Sequence, residues 1–248
     1  MIYAFSPEGV ACLAAVLATR PLLAFDIDGT LAPIVARPDE ARLPDEVQHC
    51  LAHLASRYDL AIVTGRAVAD ARRMFAFEPR YLIGNHGAEG IPAWRARTAG
   101  FARDVESWRN ALEACESLRA AGVTIEDKRY SISLHYRQAA DADAAYRAIA
   151  ACLDALVPKP AIIDGKAVVN LLPPGAPNKG EALRALIAET RCANALYVGD
   201  DDTDEAVFGL HLPSVLTVRV EPSADSQATL FLRDQREVLT LLQHLARQ

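Results

Sequence analysis

Four short stretches place acids, a hydroxyl and a lysine where apolar runs end. They are "DIDGT" (26–30), "VTGR" (63–66), "NKG" (178–180) and "GDDDTDEAVF" (199–208). Each alone has an ordinary structural explanation. Asp-Gly makes turns, a lone Thr caps helices, a lone Lys is usually solvated, and acids suit a helix N-terminus. Together, two acidic clusters and a lysine at one edge of one sheet would repel strongly or bind a cation. Oxygen-only ligands point to Mg²⁺, which takes one or two carboxylates plus waters and substrate phosphate. A carboxylate can also accept a phosphoryl group as an aspartyl-phosphate. A strand ending in Asp26 would aim a nucleophile. Gly29 and Thr30 would let the chain turn so that Asp28 points at the leaving oxygen. A third carboxylate from 200–204 would complete the metal site. Thr64 and Lys179 would hold phosphoryl oxygens, Lys179 at a helix N-terminus suited to anions.

The elements needed to bring these residues together follow a βαβ rhythm. "PLLAFDI", "DLAIVTGR" and "YLIGNHGAE" are short buried strands, separated by helical patterns at 45–57 and 66–75. Ser6 and Pro7 start an earlier helix over 7–18. The rhythm changes after Pro92. An amphipathic helix over 104–121 carries Val105, Trp108, Leu112, Cys115 and Leu118. Tyr130, Ile132, Leu134 and Tyr136 then alternate with Ser131, Ser133, His135 and Arg137, which gives one dry and one polar face. A helix over 141–156 and a hairpin around Asp164-Gly165 complete a small antiparallel sheet with helices on its dry face. Buried strands return after Pro173-Pro174-Gly175, with Asn178 and Glu181 approximating a capping box and a last helix near 234–246. The expected architecture is a doubly wound, Rossmann-like α/β core (1–91 and 175–248) with a smaller α+β cap domain inserted at 92–174.

Composition agrees with a soluble enzyme of small molecules. Half of the 248 residues are apolar (51%), and charged residues are 23%. A net charge of −6 argues against nucleic-acid or anionic-membrane partners. The five cysteines are odd in number and form no CxxC, which predicts reduced thiols in the cytoplasm. No apolar run reaches the length of a membrane span, and the chain is expected to act as a monomer.

The four stretches resemble the four motifs of the haloacid dehalogenase-like phosphatases, in the same order and in the same strand-end contexts. The resemblance implies Asp26 as nucleophile and Asp28 as general acid/base. It implies Mg²⁺ on the Asp26 carboxylate, the Asp28 backbone carbonyl and Asp200. Thr64 and Lys179 take the family's second and third motif positions. "DGTLAPI", "GNHGAE", "EDKRYSISLHYR" and "GDDDTDEAVF" are further similar to the trehalose-6-phosphate phosphatases, over nearly the full length. That implies hydrolysis of trehalose 6-phosphate, with the insert as a lid. Substrate contacts are then expected from Gly65, Arg66, Asn85 and His86 in the core, and from Glu126, Lys128, His135, Arg137 and Asn170 in the insert. One departure stands out. "VVNLLP" has Asn170 where relatives carry a glutamate and Leu172 where they carry a basic residue. It keeps open another sugar phosphate, such as sucrose phosphate or a glycosyl phosphoglycerate. A non-catalytic sensor on the same fold is opposed by the intact set of Asp26, Asp28, Thr64, Lys179 and Asp200.

Overall fold

Runs of four or five apolar residues with no polar alternation, bounded by turn residues, suit strands covered on both faces, and the computed structural model contains a parallel sheet of them. It describes residues 1–35, 37, 40–165 and 167–247. These separate into two compact units, Met1–Ile91 with Pro177–Gln248, and Pro92–Ala176.

In the first unit the strands are β1 (Ile2–Tyr3), β2 (Leu22–Phe25), β3 (Leu60–Val63) and β4 (Tyr81–Ile83) before residues 92–176. Beyond that segment come β9 (Ala195–Gly199), β10 (Val215–Val220) and β11 (Leu230–Leu232). All seven are parallel, in the order β1-β11-β10-β9-β2-β3-β4. The catalytic-type stretches therefore sit at one edge, after β2, β3 and β9. The helices are α1 (Pro7–Leu17), α2 (Asp45–Ala55), α3 (Val68–Arg72), α8 (Lys179–Thr190), α9 (Glu205–Phe208) and α10 (Glu237–Ala246). Ser6 caps α1 by accepting from the Gly9 N–H, and Asn178 with Glu181 closes a full capping box on α8. That box sets where α8 begins, and so where Lys179 sits. Apolar faces of α1, α2 and α10 pack with β2, β3, β9, β10 and β11 in one core.

The second unit holds α4 (Arg95–Thr98), α5 (Phe101–Glu113), α6 (Glu116–Ala120) and α7 (Ala142–Leu153). Its antiparallel sheet has the order β5-β6-β8-β7, from β5 (Thr124–Asp127), β6 (Ile132–His135), β7 (Ala161–Gly165) and β8 (Val168–Leu172). Lys166, in the hairpin read from the sequence, lies outside the described residues. Ile132, Leu134, Val169 and Leu171 pack with Val105, Trp108, Leu118 and Ile149 of the helices. The alternate positions form a cross-strand row, Glu126 opposite Ser133 and Ser133 opposite Asn170. No described helix is long and apolar enough to cross a membrane.

Several expectations need correction. The helix expected over 104–121 is two helices, because Cys115 adopts extended dihedrals between them. Both halves still face one core, so the apolar periodicity runs through the break. The helix expected at 66–75 shrinks to 68–72, because Arg66 is held in a loop by its backbone. Arg137 lies past the end of β6 and is exposed, so it is not part of the polar strand face. The prediction of five reduced thiols fails for two. A disulfide joins Cys115 to Cys152 across 37 residues, while Cys12, Cys50 and Cys192 are free. Sequence spacing carries no sign of that pairing, which arises when the start of α6 meets the end of α7.

The fully buried Trp108 donates from Nε1 to the Pro158 carbonyl at 2.8 Å. Trp108→Phe keeps an aromatic ring but leaves that carbonyl unpaired. We expect a loss of about 1–3 kcal/mol, read as a lower urea midpoint with an unchanged m-value.

Candidate active site

The interior strand β2, between β9 and β3, delivers Asp26. Its four residues are buried, and the pairing continues one residue further, the Asp26 N–H donating to the Val198 carbonyl at 2.9 Å. The chain then turns hard. The Ile27 carbonyl accepts from the N–H groups of Thr30 and Ala32, and Gly29 has a φ of 89°. Gly29 is required for a second reason. A Cβ there would lie 2.0 Å from Asp200 Oδ2, so glycine alone lets the two acidic loops close on one another. Thr30 Oγ1 donates to Asp200 Oδ1 at 3.2 Å, and Gln235 Nε2 donates to the Thr30 carbonyl at 2.9 Å.

Lys179, only 2% exposed, ties the loops together. Its Nζ lies 2.8 Å from Asp204 Oδ1 and 3.0 Å from Asp26 Oδ1. Asp204 Oδ1 also accepts the buried Tyr197 hydroxyl at 2.6 Å, and Oδ2 accepts the N–H groups of Asp200 and Asp201. Four donors thus converge on Asp204. Asp201 has a different task. Its Oδ1 accepts from the Thr203 N–H and hydroxyl and from the Asp204 N–H, which folds the acidic turn. Asp26, Asp200 and Asp204 bring carboxylate oxygens within 4.8 Å of one another, a spacing and chemistry suited to a hard divalent cation.

The electrostatics follow from burial. Loss of water pushes the Asp26 carboxyl well above its ordinary range; the Lys179 ammonium pulls it down, and the Asp204, Asp200 and Asp201 charges push it up. Asp204 is raised by burial against the pull of Lys179. Burial works against the Lys179 ammonium, but Asp204 and Asp26 outweigh it and hold its pKa well above the usual lysine value. Burial would raise Asp201 as well, yet Lys179 and the Thr203 hydrogen bond bring it well below the usual range.

The loops after β3 and β4 interlock beside this cluster. Thr64 is buried, and its Oγ1 accepts the Arg66 N–H at 3.2 Å. His86 packs over Gly65, where a Cβ would lie 2.5 Å from His86 Cε1. The Asn85 amide donates to Glu89 Oε2 at 2.8 Å. Arg66 makes a two-point ion pair with Asp28. In the second unit, His135 Nε2 lies 2.7 Å from Glu126 Oε2, and Lys128 Nζ lies 3.7 Å from the same oxygen. Asn170 is buried, with Oδ1 accepting from Ser133 and Nδ2 donating to the Ile163 carbonyl.

The chain that carries these strand-end acids, lysine and threonine has relatives among known proteins. The model of the trehalose-phosphatase family matches residues 24–236, which include every one of these residues. The chain belongs to the trehalose-phosphatase family. It is 34% identical over 223 residues to a probable trehalose-phosphate phosphatase of Sinorhizobium fredii, covering 84% of this chain and 80% of that protein. It is 32% identical over 195 residues to the trehalose-6-phosphate phosphatase of Escherichia coli, covering 75% and 71%. The crystal structure of a trehalose-6-phosphate phosphatase related protein superposes with a TM-score of 0.72 at 25% identity, over 91% of this chain and 97% of that one.

Sequence reasoning missed several supports of this family member's site. Tyr197 and Glu89 read as ordinary residues of expected strands and Gln235 as part of the last helix, whereas the strand before Glu89 ends at Ile83 and the helix starts at Glu237. Arg219 did carry a signal, a cation inside the apolar strand "VLTVRV". It is nearly buried and donates to Glu205 Oε1 at 2.7 Å and to the Asp201 carbonyl at 3.3 Å, so it braces the acidic turn.

Asp200 and Asp204 should respond oppositely to amide substitution. Asp204→Asn turns an NH₂ group toward converging donors and strips Lys179 of a partner, at a cost of about 3–5 kcal/mol in urea unfolding. Asp200→Asn removes one acid from a repelling cluster and should stay within about 1 kcal/mol of wild type.

Proposed function

We propose that this chain is a Mg²⁺-dependent phosphatase that hydrolyses trehalose 6-phosphate to trehalose and phosphate through an aspartyl-phosphate on Asp26. The observation that carries this is the Asp26 carboxylate, fixed at the end of β2 with Oδ1 3.0 Å from the Lys179 ammonium. Family membership supports the substrate. In the first step an Asp26 oxygen bonds to phosphorus, the ester P–O bond breaks, and Asp28 gives its proton to the departing sugar oxygen. In the second, Asp28 takes a proton from water as the water oxygen bonds to phosphorus and the Asp26–phosphorus bond breaks. Lys179 and Thr64 hold phosphoryl oxygens through the transfer.

The donor set fits Mg²⁺. Asp204 has both oxygens engaged by four donors, which supports Asp26 and Asp200 as the carboxylates that would hold the cation, with the Asp28 carbonyl as the family resemblance implies. When bound, the cation supplies neutralisation of the phosphoryl charge. Glu126, Lys128 and His135 are the polar side chains that the second unit would offer to sugar hydroxyls, with Asn170 held beneath them by Ser133 and the Ile163 carbonyl.

Phosphate release from trehalose 6-phosphate and a panel of other sugar phosphates, with and without Mg²⁺, tests the assignment. Faster turnover of another sugar phosphate would shift the substrate and leave the chemistry in place. Asp26→Asn should abolish turnover, because an amide cannot form the phosphoenzyme. The wild-type melting temperature should rise with Mg²⁺, and that rise should vanish in Asp200→Asn. Glu126→Ala should lower kcat/KM for trehalose 6-phosphate by ~10-fold, the effect of losing ~1.4 kcal/mol, and change hydrolysis of a small aryl phosphate little.

A further inference from the structure

Asp28 sits on the loop leaving β2 and is the more open partner of its ion pair, with a side chain 40% exposed against 13% for Arg66. A short carboxylate on a turn has several rotamers available, so something must choose one. Arg66 does so with both teeth of its fork. Nε donates to Oδ2 and Nη2 to Oδ1, each at 2.6 Å. Arg66 is itself fixed by the backbone. Its N–H donates to Thr64 Oγ1, and its carbonyl accepts from the Asn85 N–H at 2.8 Å. Two residues on, the Val68 N–H is held by Glu89 Oε2 at 2.9 Å, the oxygen that also binds the Asn85 amide. A Cβ at Gly84 would lie 2.6 Å from the Arg66 carbonyl oxygen, so that approach is as close as backbone allows. The guanidinium is thus anchored by the loops after β3 and β4 and reaches across to an acid on the loop after β2.

We propose that Arg66 is the positioning residue of the acid–base step: it acts through Asp28 and is not a ligand of the phosphoryl group. This rests on the role given above to Asp28. Both proton transfers, from Asp28 to the leaving sugar oxygen and from water to Asp28, need one carboxyl oxygen at the ester oxygen. Arg66 engages both oxygens here, so that oxygen reaches the ester only when one contact gives way, and the other contact then keeps the carboxyl in place. Arg66 therefore serves the leaving group, although its place in "VTGR" suggests a substrate contact.

The test compares wild type, Arg66→Gln, Asp28→Asn and the double variant on two monoesters. One is p-nitrophenyl phosphate, whose leaving group needs little protonation. The other is an alkyl phosphate that the wild type turns over. Trehalose 6-phosphate is tried first and glycerol phosphate second, so a wrong substrate assignment shows in the wild type alone. Arg66→Gln should lower kcat on the alkyl ester at least ~10-fold more than on the aryl ester. KM for the aryl ester should stay within about threefold. The double variant should be no slower on the alkyl ester than Asp28→Asn alone, because residues acting as a unit are not additive. Equal losses on both esters, a raised aryl KM, or losses that multiply in the double variant would place Arg66 on the phosphoryl group and overturn the proposal. Arg66→Lys keeps the charge without the fork. It should show the same alkyl-over-aryl bias at smaller amplitude, and it carries the test if the glutamine variant does not fold.

Discussion

Lys179 has almost no contact with water, and an ammonium there is stable only beside fixed negative charge. Asp26 and Asp204 supply that charge from the segments that follow two neighbouring strands, β2 and β9. The acids in turn tolerate one another only because the cation lies among them. Much of the surrounding structure follows from this mutual dependence. The capping box fixes the first turn of α8, Tyr197 and two backbone N–H groups orient Asp204, and glycine at position 29 lets Asp200 come close. Each of these is a local solution to the problem of keeping several charges in a space without solvent.

The parts that reasoning from sequence recovered are those where local pattern and final role coincide. "LLAF" and "LAIV" are apolar because they are buried on both faces, and the polar residues after them mark the strand ends. Asp26, Thr64, Lys179 and Asp200 stood out because polar residues interrupt such runs for a reason. The unrecovered parts depend on contacts between distant residues. Asp204 looked interchangeable with Asp200 and Asp201 until four donors were seen to converge on it. β1 and β11, two and three residues long, are too short for any period to show and exist because they pair with each other and with β10. The break before α6 leaves the apolar spacing intact, so periodicity passes over it. The Cys115–Cys152 bridge arises from packing inside the second unit.

The polar row of the second unit includes Asn170, the position at which the family resemblance implied a glutamate. Asn170 has an amide where a carboxylate was expected, and it spends that amide on Ser133 and the Ile163 carbonyl. A glutamate would be hard to satisfy in that buried place, since it lacks a donor for the Ile163 carbonyl. Glu126 instead supplies the fixed negative charge of the row, with His135 and Lys128 gathered around it.

Chain order has a consequence for how the molecule is made. The contact between Thr30 and Asp200 spans 170 residues, and the β2–β9 pair beneath it spans a similar separation. β2, β3 and β4 emerge early in synthesis, but β2 lacks its neighbour on one side until β9 appears. The segment 92–176 is contiguous and can complete its own core in the meantime. Until the last third of the chain arrives, Asp26 sits on an open strand edge with its lysine still unmade. Such long-range pairing slows folding and exposes apolar strand edges to other chains. Asp26, among the first residues translated, is thus among the last to acquire its surroundings.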